Sequence, residues 1–226
     1  CRPAGERLAY SGLPPTRIYN RSCLVVLCIY LGMPSLQDFA DDRLAHGRAY
    51  FSKREALKAT GQSSTAFTAA ASRMIGKQKL ANPKRGFYLI LRPEDRQAGA
   101  PDPARWIDPL MRYLDIDYRV SLLRAAAFHG ASHQAAQVFQ VIVPKQLRPI
   151  VLGRQRVQFV YQAADAFTES NRDDRLAQMK TEAGFAKVAG IELLLLDAVR
   201  YFHQAAGLNG AAQIVHDLGA RANPRA

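Results

Sequence analysis

The apolar and polar positions of residues 51–91 predict a helix, a tight turn, a second helix and a short basic hairpin. Ser52 lies three residues before Glu55, which is the capping-box spacing at the start of a helix. The pattern predicts that this helix ends near Thr60. Gly61 follows and tolerates the backbone angles of a sharp corner. The stretch therefore begins as a helix followed by a tight turn.

A second helix is predicted after this turn, with Ser63 or Ser64 as its N-cap. Apolar residues at helical spacing predict its buried face, namely Phe67, Ala70, Ala71, Met74 and Ile75. Short and mostly polar side chains form the opposite face, namely Thr65, Thr68, Ala69, Ser72 and Gly76, with Arg73 at its edge. A helix that is packed on one side and carries short polar side chains on the other suits the major groove of DNA.

A basic hairpin is predicted after the second helix. Its tip covers residues 82–86, where Pro83 and Gly86 favour a tight turn, and Phe87–Leu91 forms the returning strand. The stretch as a whole predicts a winged helix-turn-helix, although this shape also serves in protein–protein interactions. The predicted DNA-binding residues are Ser63, Ser64, Thr65, Thr68, Ser72, Arg73, Lys77, Lys84 and Arg85.

The fold class predicted for the whole chain is α+β, with an N-terminal winged helix-turn-helix domain followed by a mixed α/β domain. A helix over Ser35–His46 opens the first domain, residues 33–96. Pro, Gly and charged residues in Arg92–Arg105 predict a linker, with the domain boundary near residue 97. Residues 97–226 are predicted to form two helices, then three strands, then two helices. The predicted helices are Trp106–Leu114, Tyr118–His129, Glu192–Ala205 and Ala211–Leu218, and the predicted strands are Val138–Val143, Val157–Tyr161 and Phe185–Ala189.

The positive charge is concentrated in the predicted winged helix. The chain has 226 residues and a net charge of +12. Residues 33–96 hold twelve basic and six acidic residues, whereas residues 97–226 hold fifteen and twelve. This excess indicates a partner rich in phosphate, the alternative being a basic surface that only aids solubility.

The first 32 residues differ from the rest of the chain. The apolar run Cys23–Met33 is too short to span a bilayer, and no cleavage pattern for secretion follows it. We expect residues 1–32 to be an N-terminal extension that does not belong to the pattern of the following domains, produced by a mis-called start ahead of Met33. The three cysteines, Cys1, Cys23 and Cys28, predict neither a disulfide framework nor a zinc site and fit the reducing cytoplasm.

Several segments resemble the AbiEi-type antitoxins of bacterial type IV toxin–antitoxin systems. They are LQDFADD at Leu36–Asp42, the winged helix with RGFYLIL, YRVSLLRAAAFHGASHQ at Tyr118–Gln134, VFQVIVP at Val138–Pro144 and LLLLDAVRYFHQAAGL at Leu193–Leu208. The resemblance implies a winged helix that binds inverted repeats in the promoter DNA of its own operon. It also implies a C-terminal domain that neutralises a cognate toxin, a nucleotidyltransferase-like protein. The chain departs from the expected pattern by its first 32 residues. It also ends at Pro224-Arg225-Ala226, where we expect relatives to continue with further helices, so we expect the α/β domain over residues 97–226 to be shortened at its C-terminus.

Catalytic chemistry is not predicted. His129 and His133 are four residues apart, but Gly130 interrupts the helix that a metal pair would need. Glu192 and Asp197 lie on one apolar helix without a matching nucleophile, and no Gly-rich phosphate loop is present. We expect no enzyme activity, no cofactor, no metal and no membrane partner. Two alternatives stay open, a stand-alone winged-helix regulator with a ligand-sensing α/β domain and an enzyme with a DNA-targeting domain.

Overall fold

The computed structural model describes residues 34–131, 138–182 and 184–223. The predicted extension, His133 and the last three residues lie outside this range. The described residues belong to one compact unit that starts at Pro34.

The first part of the described chain is a winged helix-turn-helix. Its elements are α1 (Leu36–Ala45), β1 (Tyr50–Ser52), α2 (Lys53–Thr60), α3 (Ser64–Gly76), β2 (Leu80–Lys84) and β3 (Phe87–Ile90). The three strands form an antiparallel sheet in the order β1-β3-β2. The β2–β3 hairpin is the wing, and α2, the turn and α3 form the helix-turn-helix. Strand β1 was not predicted, because its three residues become a strand only by pairing with β3.

The predicted caps determine where the helices begin. Ser52 and Glu55 form both hydrogen bonds of a capping box at α2. Gly61 ends that helix in the left-handed conformation, with φ of 64°. Ser63, rather than Ser64, caps α3 by accepting a hydrogen bond from the backbone N–H of Ala66. Local sequence chemistry thus sets the helix-turn-helix geometry.

The second part is a mixed α/β domain, as predicted. Its helices are α4 (Ile107–Leu114), α5 (Leu122–Phe128), α6 (Ala164–Ser170), α7 (Ile191–Arg200) and α8 (Gly207–Leu218). Its strands are β4 (Arg119–Val120), β5 (Val138–Val143), β6 (Ile150–Leu152), β7 (Gln155–Tyr161), β8 (Leu176–Thr181) and β9 (Gly184–Ala189). They form a six-stranded sheet in the order β6-β7-β5-β4-β9-β8, parallel at β5/β7 and β4/β9 and antiparallel elsewhere.

Two of the predicted helices are shorter in the structure. The predicted helix Tyr118–His129 begins only at Leu122, because Arg119 and Val120 pair with β5 as a short strand. The predicted helix Glu192–Ala205 ends already at Arg200. Strands β6 and β8, at the two edges of the sheet, were not predicted. Strand β6 has only three residues, and β8 carries polar residues that weaken its sequence signal.

Two hydrophobic cores meet at strand β3. Tyr88 and Ile90 belong to the core of the winged helix, with Phe51 and Phe67. We refer to the three-stranded sheet of the winged helix as the wing sheet. Residues on its other face, and Leu91 directly after β3, belong to the core of the α/β domain, namely Ala81, Phe87, Leu89 and Leu91. This division follows from the alternation of side chains along a strand. The wing sheet is therefore packed on both faces.

The predicted linker contributes to this packing. It contains two short 3-10 turns, at Pro93–Asp95 and Pro103–Arg105, and Ala100 and Pro101 are buried. The indole N–H of Trp106, itself buried, donates to the carbonyl of Pro101 at 3.0 Å. The division into domains near residue 97 stays a prediction.

Candidate nucleic-acid interface and antitoxin domain

Helix α3 presents one packed and one exposed face. Phe67, Ala71 and Met74 are buried, and the Phe67 ring meets the Tyr88 ring edge-on at 5.4 Å. Ile75, which the spacing placed on the buried face, is 40% exposed because it lies in the last turn. The opposite face, from Ser64 to Gly76, is open to solvent.

Five of the predicted DNA-binding residues lie on this open face. Ser64, Thr65, Thr68, Ser72 and Arg73 are all exposed. Two of them have internal partners: the Ser64 hydroxyl accepts from Lys53 Nζ at 2.8 Å, and the Thr68 hydroxyl donates to the Ser64 carbonyl at 2.8 Å. Both oxygens keep lone pairs for a ligand. Among the described residues, the side chains of the other three form no hydrogen bond or ion pair.

Basic side chains continue past the end of α3. Arg73, Lys77 and Lys79 line a groove of about 400 Å³ between α3 and the start of α1. The Lys79 ammonium donates to Gln37 Oε1 at 2.9 Å, which ties it to α1. Arg73 and Lys77 are exposed, so their charge is available to a phosphate next to the groove.

The wing is short, and its turn is formed by two residues, Arg85 and Gly86. Gly86 has φ of 82°, a conformation that favours glycine. Pro83, predicted at the turn, is instead buried within β2, where the register with β3 is irregular and a missing N–H is tolerated. Arg85 is exposed and Lys84 is half-buried.

A second basic surface lies beside the wing. Strand β6 packs alongside β2, and the N–H of Arg154 in the β6–β7 turn donates to the Ala98 carbonyl at 2.8 Å. Four exposed basic residues surround this hairpin, namely Lys145, Arg148, Arg154 and Arg156, and residues 138–164 contain no acidic residue. Within the part of the chain that the structure describes, their side chains form no ion pair. We refer to these four residues as the hairpin cations.

A buried ion pair joins the α/β sheet to α7. The guanidinium of Arg119, fully buried on β4, binds both carboxylate oxygens of Asp197, with Nε–Oδ2 at 2.9 Å and Nη2–Oδ1 at 2.8 Å. Ser121 donates to the same carboxylate at 2.7 Å. Gln162 and Ser170 accept from two of the three remaining N–H groups. Both charges of the pair therefore have hydrogen-bond partners inside the core, as a buried charge requires.

A second polar cluster surrounds the residues before β4. The Tyr118 hydroxyl donates to Asp108 Oδ1 at 3.0 Å, and burial together with the Asp108 charge raises the pKa of that hydroxyl. Burial alone would raise the pKa of Asp117, but the hydrogen bond from Lys187 holds that pKa below its usual value. Both clusters join separate elements of the α/β domain through their side chains.

The carboxylates and the histidine considered for catalysis have structural partners. Asp197 is bonded to Arg119, Glu192 accepts from the N–H of Asn223 at 2.8 Å, and His129 Nε2 lies 2.7 Å from the Ala189 carbonyl. Among the described residues, no three His, Cys, Asp or Glu side chains are grouped to hold a metal ion. The same residues include no helix that is long and apolar enough to cross a membrane.

An exposed apolar surface covers α7 and α8. Leu196, Val199 and Leu208 are 69%, 63% and 71% exposed. Val199, Leu208 and Val215 line an open groove of about 530 Å³ between the two helices. Apolar side chains in such numbers are unusual on a free surface.

The fold defines a protein with a winged helix-turn-helix followed by a mixed α/β domain. Residues 119–226 match the family model of the AbiEi antitoxin C-terminal domain. The match begins at Arg119 of the buried ion pair, confirms the resemblance to AbiEi-type antitoxins, and supports the role of antitoxin in a type IV toxin–antitoxin system. This family is a regulatory rather than a catalytic kind of protein. No curated protein sequence matches the chain.

Sequence reasoning missed two features. The partner of Asp197 was not found, because Arg119 lies 78 residues away and the pair forms only through the sheet. The hairpin cations were also missed, although residues 138–164 carry four basic residues and no acidic one. Over residues 97–226 as a whole, basic and acidic residues nearly balance. The excess of basic residues within residues 138–164 is visible only in this shorter window, where it could have been used to predict a basic surface.

Proposed function

We propose that the protein binds the promoter DNA of its own operon as a repressor and neutralises a cognate, nucleotidyltransferase-like toxin. The observation that carries the DNA-binding part is the open face of α3, with its exposed hydroxyls and Arg73, together with the exposed Arg85 of the wing. Promoter DNA with inverted repeats is the proposed ligand. Because this DNA lies in the bacterial cytoplasm, we propose that the protein acts there. The matched domain over residues 119–226 supports the antitoxin part.

The proposed base contacts divide by position along α3. Ser64, Thr65, Thr68 and Ser72 offer short hydroxyls to base edges, and Ser63 at the N-cap offers its backbone to a phosphate. Arg73 is long enough to bind guanine or phosphate with two N–H groups. Lys77, Lys84 and Arg85 are assigned to phosphates, which give affinity without sequence preference.

The test is a gel-shift competition between the promoter duplex and a scrambled duplex. In the double variant Thr68→Ala, Ser72→Ala, the preference for the promoter should fall, since each good base contact contributes roughly 1–3 kcal/mol of discrimination. Thr168→Ala is the matched control, because Thr168 is also exposed and also donates to the carbonyl four residues earlier. An unchanged preference in the double variant would show that α3 is not the reading helix.

The antitoxin part is tested by co-expressing the full chain with the toxin encoded next to it. Growth should be restored by the wild-type chain and by the Thr68→Ala, Ser72→Ala variant alike. If the wild-type chain binds the promoter but does not restore growth, the stand-alone regulator with a ligand-sensing domain becomes the better explanation.

A further inference from the structure

The wing turn is held by three separate segments of the chain. Asn82 Nδ2, within the wing, donates to the carbonyls of Lys84 and Phe87 at 2.9 and 2.8 Å. The backbone N–H of Lys53, at the start of α2, donates to the Gly86 carbonyl at 2.7 Å. The hydroxyl of Tyr113, on α4 of the α/β domain, donates to the Arg85 carbonyl at 3.1 Å. The turn is therefore fixed from both sides.

Tyr113 is in close contact with the turn. Its ring lies against the Phe87 ring, with the centroids 5.3 Å apart. A Cβ added at Gly86 would lie 2.5 Å from the Tyr113 hydroxyl oxygen, so a side chain at that position would displace one or the other. Tyr113 is nevertheless 42% exposed, and removal of its hydroxyl leaves no cavity in either core.

We propose that Tyr113 is a positioning residue for DNA binding, which holds the Arg85 backbone so that the exposed Arg85 side chain meets a phosphate in a fixed place. This inference rests on the proposed function. A turn that is ordered before binding avoids the entropic cost of ordering it on the DNA. The α/β domain thereby contributes to DNA affinity through the wing, without touching the DNA at this point.

The experiment measures the affinity of the full chain for the promoter duplex in four forms: wild type, Tyr113→Phe, Arg85→Ala and the double variant. Tyr113→Phe should weaken binding about threefold to tenfold, the range expected for one net hydrogen bond. In the Arg85→Ala background the same change should have no further effect, because Tyr113 acts through Arg85. Urea unfolding confirms that each variant is folded under the binding conditions.

Tyr161→Phe is the matched control, since Tyr161 is 48% exposed and its hydroxyl forms no hydrogen bond with the described residues. Three results would overturn the proposal: an unchanged affinity in Tyr113→Phe, an equal loss with and without Arg85, and an unchanged affinity in Arg85→Ala. Each of these leaves the proposed function intact as long as the wild type prefers the promoter to a scrambled duplex. Loss of that preference in the wild type would instead remove the proposed function and this inference together.

Discussion

At the scale of single residues, the decisive interaction in the α/β domain is between Arg119 and Asp197. Both side chains are almost completely buried, at 0% and 3% exposure, and their bidentate pairing satisfies the two charges inside the core. A buried pair of this kind contributes less than its Coulomb energy suggests, because both ions lose hydration. Breaking it is costly for the same reason, since one charge is then left without a partner.

Asp197→Ala should therefore lower the free energy of unfolding by about 3–5 kcal/mol. The double change Arg119→Met, Asp197→Leu should be less damaging than Asp197→Ala alone, because it removes both charges and keeps most of the volume. Urea unfolding of the three proteins checks this order. Exposed Asp174, paired with Arg172 on the surface, is the control, and Asp174→Ala should change stability by less than about 1 kcal/mol. A small loss in Asp197→Ala would show that the buried pair is not needed.

At the scale of elements, the sequence predicts what is local and misses what depends on distant partners. Ser52 with Glu55, Gly61 and the apolar stripe of α3 are local signals. The structure confirms each of them except at Ile75, the last residue of the stripe, which is exposed. Strand β5, continuous and β-branched, was predicted with its observed ends. The strands β1, β4 and β6 have two or three residues each, and no local pattern distinguishes such short strands from loops. The DNA-binding residues are predictions of the same local kind, while the Tyr113 contact with the wing needed the tertiary fold.

The hairpin cations are expected to extend the proposed DNA contact beyond the wing, since β6 lies beside β2. In the full chain, Arg154→Gln with Arg156→Gln should flatten the salt dependence of promoter binding by about two in log–log slope, at about 0.9 per phosphate contact. The control is Arg175→Gln with Lys180→Gln, which lie directly before and within β8 at the opposite edge of the six-stranded sheet. Its slope should equal that of the wild type.

Varying the length of the duplex distinguishes a direct contact between the hairpin and flanking DNA from a general effect of the protein's net charge. The difference between the hairpin variant and the wild type should disappear on a duplex that is trimmed on the side of the wing. Equal slopes for the hairpin variant and the wild type on the long duplex would show that the hairpin does not reach DNA.

At the scale of the whole molecule, neither the basic surface nor the hydrophobic cores end at the domain boundary predicted near residue 97. The charge excess follows the winged helix and continues onto the β6–β7 hairpin, which places the basic surface across both parts. The cores are joined at the wing sheet, whose two faces serve different cores. Repression and toxin neutralisation are therefore expected to separate through surface variants of the full chain more cleanly than through a cut near residue 97.

A fragment of residues 34–96 should be less stable than the winged helix within the full chain. The cut exposes Phe87, Leu89 and Leu91, which are buried against the α/β domain, and burial of such side chains contributes roughly 1.5–3 kcal/mol each. That loss is comparable to the total stability of a small domain, about 5–15 kcal/mol. Urea unfolding and gel filtration of the fragment should show a lowered midpoint and self-association.

Two substitutions in this fragment distinguish the faces of β3. Leu89→Thr lies on the face that the cut exposes, so it should reduce self-association with little loss of stability. Ile90→Thr lies on the face that packs in the core of the winged helix, and it should unfold the fragment because it buries a hydroxyl and removes apolar contacts. If the unsubstituted fragment is monomeric and unfolds at the same urea concentration as the full chain, the winged helix is an independent folding unit and the shared packing at β3 does not stabilise it.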